Sequence, residues 1–445
     1  MTVKDWYPTK LGELIETNTE TYSVNEGWNY INYLDTGNIT DNHIDEIYEF
    51  KVGIDKIPSR AKRKVKDGDI IYSTVRPNQK HFGIIKSQPT NFLVSTGFTT
   101  IRAKLNKADS EFIYWYLSQP AIIEFLQGLG ETSTSAYPSI KPSDIEALEL
   151  LSPPVKEQKS IASILGALDY KIKNNSEMNE TLEDMAHSIF KSWFVDYDPV
   201  YTKATGKIPD HMDSKTFDLF PNSFGSDGVP VGWKVLNIGS VVEVHRGLSY
   251  KGKFLSDNGV NMVNLGCFGF KGTFKAEKIK NYNGDYKDRH KIEPGDLIFA
   301  NTDMTQNRAI LCSPVIVPNY IISDETIFSH HVSRVNVLKS QHPAFLQFLR
   351  QSMMTQNFRM RAEGYATGTT VLAVPKNIFD GYYIPIPSNE ILDVFYKFIS
   401  NISKKIETNY IENKTLTKLR DTLLPKLMSG EIRVKDAERE VEAAV

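Results

Sequence analysis

One feature of this 445-residue chain limits its fold more than any other: it is one module written twice. Trp6-x4-Leu11-Gly12, followed by Glu16, returns as Trp233-x4-Ile238-Gly239, followed by Glu243. Lys66-Asp67-Gly68-Asp69-Ile70-Ile71-Tyr72-Ser73 returns as Glu293-Pro294-Gly295-Asp296-Leu297-Ile298-Phe299-Ala300 at the same offset of 227 residues. Farther along the offset slips to 233 and 234. FIYWYLSQ from Phe112 answers FLQFLRQS from Phe345, and LLSPP ending at Pro154 answers YIPIP ending at Pro387. Ile172, Asn175, Asn179, Thr181 and Leu182 answer Ile406, Asn409, Asn413, Thr415 and Leu416. Self-similarity on this scale means two copies of one structural unit.

Each module changes texture partway. Its first part mixes short β-rich runs (DIIYSTV, FLVSTGFTTIRA; DLIFAN, HHVSRVNVL) with Gly, Asn and Pro turns, an α+β pattern. The part after the proline punctuation is helical. Ile161, Leu165, Leu168, Ile172, Asn175, Asn179, Leu182, Ala186, Ile189 and Trp193 recur at spacings of four and three. Phe395, Phe398, Ile402, Ile406, Asn409, Asn413, Leu416, Arg420, Leu423 and Leu427 follow nearly the same rhythm, a coiled-coil seam with asparagines at matching places. Pro425 predicts a kink or late break.

The chain therefore divides into a globular unit at 1–154, a long helix at 155–198, an irregular connector at 199–229, a second globular unit at 230–387, a second long helix at 388–430, and a charged, fraying tail at 431–445. The first helix carries the chain to the second unit, and the second helix can pair with it only by running back. The expected fold is α+β: two globular α/β units related by a pseudo-two-fold axis and separated by two long antiparallel coiled-coil helices. Forty helical residues span about 60 Å, a spacing suited to a two-part target on a linear polymer.

The loops carry chemistry for nucleic acid. Arg76, Asn78, Gln79 and Lys80 follow the strand DIIYS, and Arg, Asn and Gln are the side chains that pair bidentately with guanine or adenine edges. Asn301, Thr302, Gln306, Asn307 and Arg308 occupy the corresponding loop, with Arg246 as a further candidate. Arg60, Lys62, Arg63 and Lys64 could neutralise phosphates. Thr132, Ser133, Thr134 and Ser135, and Thr367, Thr369 and Thr370, could donate to phosphate oxygens. A net charge of −2 means that any such binding works through local patches.

Catalytic constellations are missing. Ser152-Pro153-Pro154-Val155 lacks the aromatic that would stack on a flipped base, and prolines there suit a helix start. Glu49-Phe50-Lys51, Glu157-Gln158-Lys159 and Glu412-Asn413-Lys414 resemble nuclease Glu-x-Lys triplets without a convincing Pro-Asp partner. His330-His331 falls in a predicted strand, where the two rings would face opposite sides and could not share a metal. There is no Walker A loop. Two cysteines, no signal pattern and no apolar run of about eighteen residues suit a cytoplasmic protein with no membrane contact.

The motifs SPPVKEQKSIASILGALDYKI, IFKSWFVDYDPV, LFPNSFGSDGVPVGWKV, STVRPN and VSTGF resemble those of the specificity subunits of type I restriction–modification systems, over essentially the full length. The resemblance implies two target-recognition domains, each reading half of an asymmetric bipartite site in double-stranded DNA. It implies partners as well: two DNA adenine-methyltransferase subunits and restriction motor-nuclease subunits. The chain itself is expected to hold no cofactor, with S-adenosylmethionine, ATP and magnesium only on those partners. The second helix start, PIPSNEILDVFYKFISNISKKI, departs from the PPxxEQ pattern, since Ser388 and Asn389 follow Pro387. Two other readings are a coiled-coil scaffold that binds no DNA and a self-sufficient modification enzyme.

Overall fold

The computed structural model describes the chain from Asp5 to Ala444 except residues 133–136, 204, 210–211, 270–271, 306–307, 322–324 and 339–340. It resolves into two compact units, one made of Met1–Lys173 with Asn413–Val445 and the other of Asn174–Glu412. Both long helices are thus shared between units, whereas the sequence reading set each helix apart as a spacer. The seam explains the difference. Its apolar side chains bury against the partner helix and against the globular body beside them at once.

In the first unit, Ile15–Thr17, Phe98–Ala103, Ile70–Ser73 and Phe82–Ile84 form one antiparallel sheet in that order. A second sheet runs Tyr48–Lys51, Tyr30–Leu34, Phe92–Ser95, Ala61–Lys64, with its two central strands parallel. Tyr7–Lys10 pairs antiparallel with Glu149–Ser152 and so ties the start of the body to its end.

The second unit repeats this scheme by itself. Val242–Arg246, Val332–Val337, Leu297–Ala300 and Pro314–Ile316 form the antiparallel sheet. Val260–Val263 and Thr326–Phe328 form the parallel pair, and Lys234–Asn237 ties to Tyr383–Ile386. Where the first unit has a full edge strand at Ala61–Lys64, the second has, among the described residues, the single bridge Lys291↔Ile327.

The repeated Gly-Asp motif has a structural cause. Gly68 and Gly295 sit at φ +85° and +89°, a turn conformation that costs glycine nothing sterically. The following carboxylate then bonds back: Asp69 accepts from the Lys66 amide at 2.8 Å, and Asp296 from the Glu293 amide at 3.0 Å. Each also faces an arginine from the neighbouring strand, Arg102 at 2.6 Å and Arg334 at 3.6 Å. The motif launches the central strand of the antiparallel sheet in both units.

The long helices span Val155–Phe194 and Asn389–Ser429, the latter continuing through Pro425 with no break there. In the first unit Asn413 donates to the Ile172 carbonyl at 3.1 Å, and Arg420 to Asp169 at 2.6 Å. In the second unit Asn175 donates to Glu412 and Asn409 to Asn179, both at 2.8 Å. Rising numbers on one helix meet falling numbers on the other, so the pairing within each unit is antiparallel. Asn175, Asn179 and Asn409 are buried in the seam, as the matching asparagines predicted. Ile161, Leu165 and Leu168 share the first unit's core with Leu416, Leu423 and Leu427. Phe190, Trp193 and Phe194 share the second's with Phe345, Phe348 and Phe395.

Two segments differ from expectation. The connector is no irregular spacer: it holds short helices at Asp198–Lys203 and Ser214–Asp218. Val200, Met212, Phe217 and Phe220 bury in the second unit's core, and Trp193 meets Phe220 edge to face at 5.4 Å. The apolar content of this stretch outweighs its prolines. The tail does not fray, because Val434–Ala444 is a helix. Ala437 is fully buried in the first unit's core, with Val434 and Val441 half-buried beside it, a three-four spacing that makes one apolar stripe. Among the described residues no helix is long and apolar enough to cross a membrane.

Candidate nucleic-acid interface

In the first unit the loop after Ile70–Ser73 makes one 3-10 turn, Pro77–Gln79, flanked by Arg76 at φ +49° and Lys80 at φ +56°. Left-handed backbone costs a side-chain-bearing residue roughly 1–2 kcal/mol, so the surroundings must hold it. They do. Arg76 N–H donates to the Pro138 carbonyl at 2.9 Å, Ile140 N–H to the Thr74 carbonyl at 2.8 Å, and Asn78 N–H to the Gln127 side chain at 3.3 Å. The Arg76 guanidinium lies over the Tyr137 ring, 4.8 Å from its centre. Arg76, Asn78, Gln79 and Lys80 are all exposed on this turn. Tyr137 and Gln127 were not singled out from the sequence; an exposed aromatic beside a proline, in the loop after a helix, was the available signal for Tyr137.

The basic cluster divides by environment. Arg60 and Lys62 are exposed. Lys64 is half-buried, bonded to Glu26 at 2.7 Å and 5.4 Å from the centre of the Trp28 ring. Arg63 is half-buried, and desolvation pulls its guanidinium below the ordinary value. With Lys64 engaged by Glu26 and Trp28 and Arg63 half-buried, Arg60 and Lys62 are left as the better phosphate contacts. Thr132 is exposed and bonds back to the Leu129 carbonyl, while Ser133, Thr134 and Ser135 lie outside the described residues.

The second unit has the same lacing with different side chains. Thr302–Asp303 pairs with Leu372–Ala373 where Val75 bridges Ser139 in the first unit. Asn301 and Thr302 are buried, at 1% and 8% exposure, and serve the fold. Asn301 donates to the His330 carbonyl and to Ser333, and Thr302 lies 2.9 Å from His331 Nδ1. Thr74 holds the equivalent post in the first unit, donating to the Gly97 carbonyl. Gln306 and Asn307 lie outside the described residues. Arg308 is exposed at φ +54°, its carbonyl clasped by Arg359 at 2.9 Å, a residue the sequence did not single out. Thr367, Thr369 and Thr370 are exposed on a tight loop, closed by reciprocal backbone bonds between Thr367 and Ala373. Arg246 is exposed, with its guanidinium donating to the Val374 carbonyl at 2.8 Å.

His330 and His331 depart from the strand expectation. They sit in a turn between Thr326–Phe328 and Val332–Val337, so the alternation of strand side chains does not apply. Their rings lie side by side with centres 3.9 Å apart. Among the described residues no group of three or more His, Cys, Asp or Glu is placed to hold a metal ion.

Residues 3–184 match the family model for the type I restriction modification DNA specificity domain. The chain is similar to the type I restriction enzyme HindI specificity subunit of Haemophilus influenzae, at 28% identity over 97% of this chain and 100% of that one. It is similar to the MjaIX specificity subunit of Methanocaldococcus jannaschii at 24% identity, over 97% of this chain and 95% of that one. Among solved structures, the S subunit of a type-I restriction-modification system from M. genitalium superposes with a TM-score of 0.52. That match covers 96% of this chain and 97% of that one at 13% identity, a likeness of fold.

Proposed function

We propose, for a chain that belongs to the specificity subunits of type I restriction–modification systems, that each globular unit reads one half of an asymmetric bipartite site in double-stranded DNA. The observation that carries this reading is a single loop framework built twice and furnished differently. Both units fasten the loop after the central strand to a segment near the end of the body. Among the described residues, those exposed on it include Arg76, Asn78, Gln79 and Lys80 in one unit and Arg308 in the other. A rigid backbone bearing Arg, Asn and Gln is what bidentate reading of guanine or adenine edges needs. Arg60 and Lys62 set the register by neutralising phosphates. In the second unit Arg246 and the hydroxyls of Thr367, Thr369 and Thr370 take that part.

The chain catalyses no step in this reading. It presents the chosen DNA to methyltransferase subunits, which bring S-adenosylmethionine, and to restriction subunits, which bring ATP and magnesium, in the cytoplasm. Replacing residues 1–154 with the equivalent segment of another such protein, followed by sequencing of methylated bases, tests the assignment. One half of the methylated site should change and the other persist. A swap that altered both halves or neither would refute it.

A further inference from the structure

The histidine pair of the 330–331 turn is not repeated in the first unit, whose equivalent turn is Ser95-Thr96-Gly97. It lies against the candidate interface. The Asn301 amide donates to the His331 carbonyl at 3.0 Å, and the Val374 amide to the Asn301 carbonyl at 2.9 Å. Val374 in turn accepts from the Arg246 guanidinium. Arg246 also stands opposite Ser333 in the strand ladder, two residues beyond His331. Arg246 and the two histidines are thus laced to the same backbone segments at one edge of the unit.

We propose that Arg246, His330 and His331 form a phosphate seat whose occupation by a DNA phosphodiester brings a proton with it. This rests on the DNA-reading function proposed above and deepens it. Thr302 engages Nδ1 of His331, so Nε2 is the nitrogen that meets the ligand. Two imidazoles with ring centres 3.9 Å apart take up one proton far more readily than two. In the free protein His331 is held below the ordinary imidazole value, by burial first and then by the charge of His330. His331 is therefore biased towards its neutral form in the free protein. An incoming phosphate oxygen repays an imidazolium with a charge-assisted bond and raises its pKa. Affinity then rises as pH falls from the bound value towards the free one, by at most about tenfold per pH unit for one proton.

Other groups face the pair. Tyr250 meets the His330 ring edge-on at 5.9 Å. On the strand that bears Arg246, His245 lies 3.1 Å from Glu243, and this third imidazole must be separated from the other two.

The test uses the full-length chain and a duplex that it selects from a random pool. Affinity is measured by fluorescence anisotropy from about pH 8.5 to 6, and proton uptake by calorimetry in two buffers of different ionisation heat. Wild type should tighten at least about threefold over this range and take up a fraction of a proton near pH 7. His331→Gln should bind with a flat profile and no uptake, while His245→Gln keeps both. Absence of proton uptake by wild type, which requires no variant to fold, overturns the proposal and leaves DNA reading intact. So does a slope that survives in His331→Gln. If no duplex is ever selected, the DNA-reading function falls, and this inference with it.

Discussion

Asn409 donates its side-chain amide to the Asn179 oxygen, 2.8 Å away, in a layer of the helix pair where both residues are buried. The Asn409 oxygen itself finds no partner among the described residues. A polar pair of this kind fixes register at a cost in stability. Changing Asn409 alone to Leu should destabilise the chain by about 1–3 kcal/mol, because Asn179 then stays buried and unmatched. Changing both to Leu should recover most of that loss. Urea denaturation of the two variants makes the comparison, and a double variant less stable than the single would count against the argument.

Base contacts and phosphate contacts should separate in the first unit. Arg76→Ala should weaken binding to the chosen duplex by about 1–3 kcal/mol with little effect on random DNA. Lys62→Ala should weaken both and reduce the salt slope by about 0.9. Titrations at two salt concentrations resolve the two patterns, and equal losses on both duplexes for Arg76→Ala would reassign it to the backbone.

Tyr137 should matter through its ring. Tyr137→Phe keeps a face for the Arg76 guanidinium, whereas Tyr137→Ala removes it, so only the second should approach the loss seen for Arg76→Ala. A Phe variant as weak as the Ala variant would mean that the phenol, not the ring face, is what counts.

Acid should loosen the first unit in a definable window. Lys66 and Arg102 bond to Glu20 and hold its carboxyl down to about 2, from an ordinary 4.5. A depressed carboxylate contributes stability that is fully present above its unfolded value and is lost as pH falls towards its folded one. The contribution should therefore be complete above about pH 4.5 and vanish towards pH 2. Glu20→Gln should flatten the stability profile in that interval and nowhere else, by denaturant melts at half-unit steps.

The repeat made the double topology legible, because a Gly-Asp turn with a back-bonding carboxylate must launch the same strand wherever it stands. The seam asparagines were legible for a similar reason: a 4-3 rhythm assigns a helix face without further knowledge. Asn301 and Thr302 show the limit. Alignment put them in a loop with Arg76, yet they match Thr74 in role rather than Arg76, since loop position does not reveal depth. The histidine rings were misplaced because the strand ends at Phe328, and the turn beyond it holds both of them. The tail escaped notice because Ala437 is a small residue, and its burial depends on a surface supplied from far away in the chain.

The division of the first unit sets the order in which the molecule can be finished. Residues 174–412 are contiguous and can fold as soon as the ribosome has released them. The first unit cannot, since Leu416, Leu423, Leu427 and Ala437 cover Ile161, Leu165 and Leu168. At about 5–20 residues per second, the opening segment waits on the order of tens of seconds for the closing one. The last turns of the nascent chain also fasten its first: Glu157 accepts from Trp6 at 3.1 Å and pairs with Arg433 at 2.7 Å. A transcript cut short by a premature stop would thus release a polypeptide with a bare apolar helix face, a ready substrate for proteolysis. Only chains that include residues 413–437 would persist with the first unit closed.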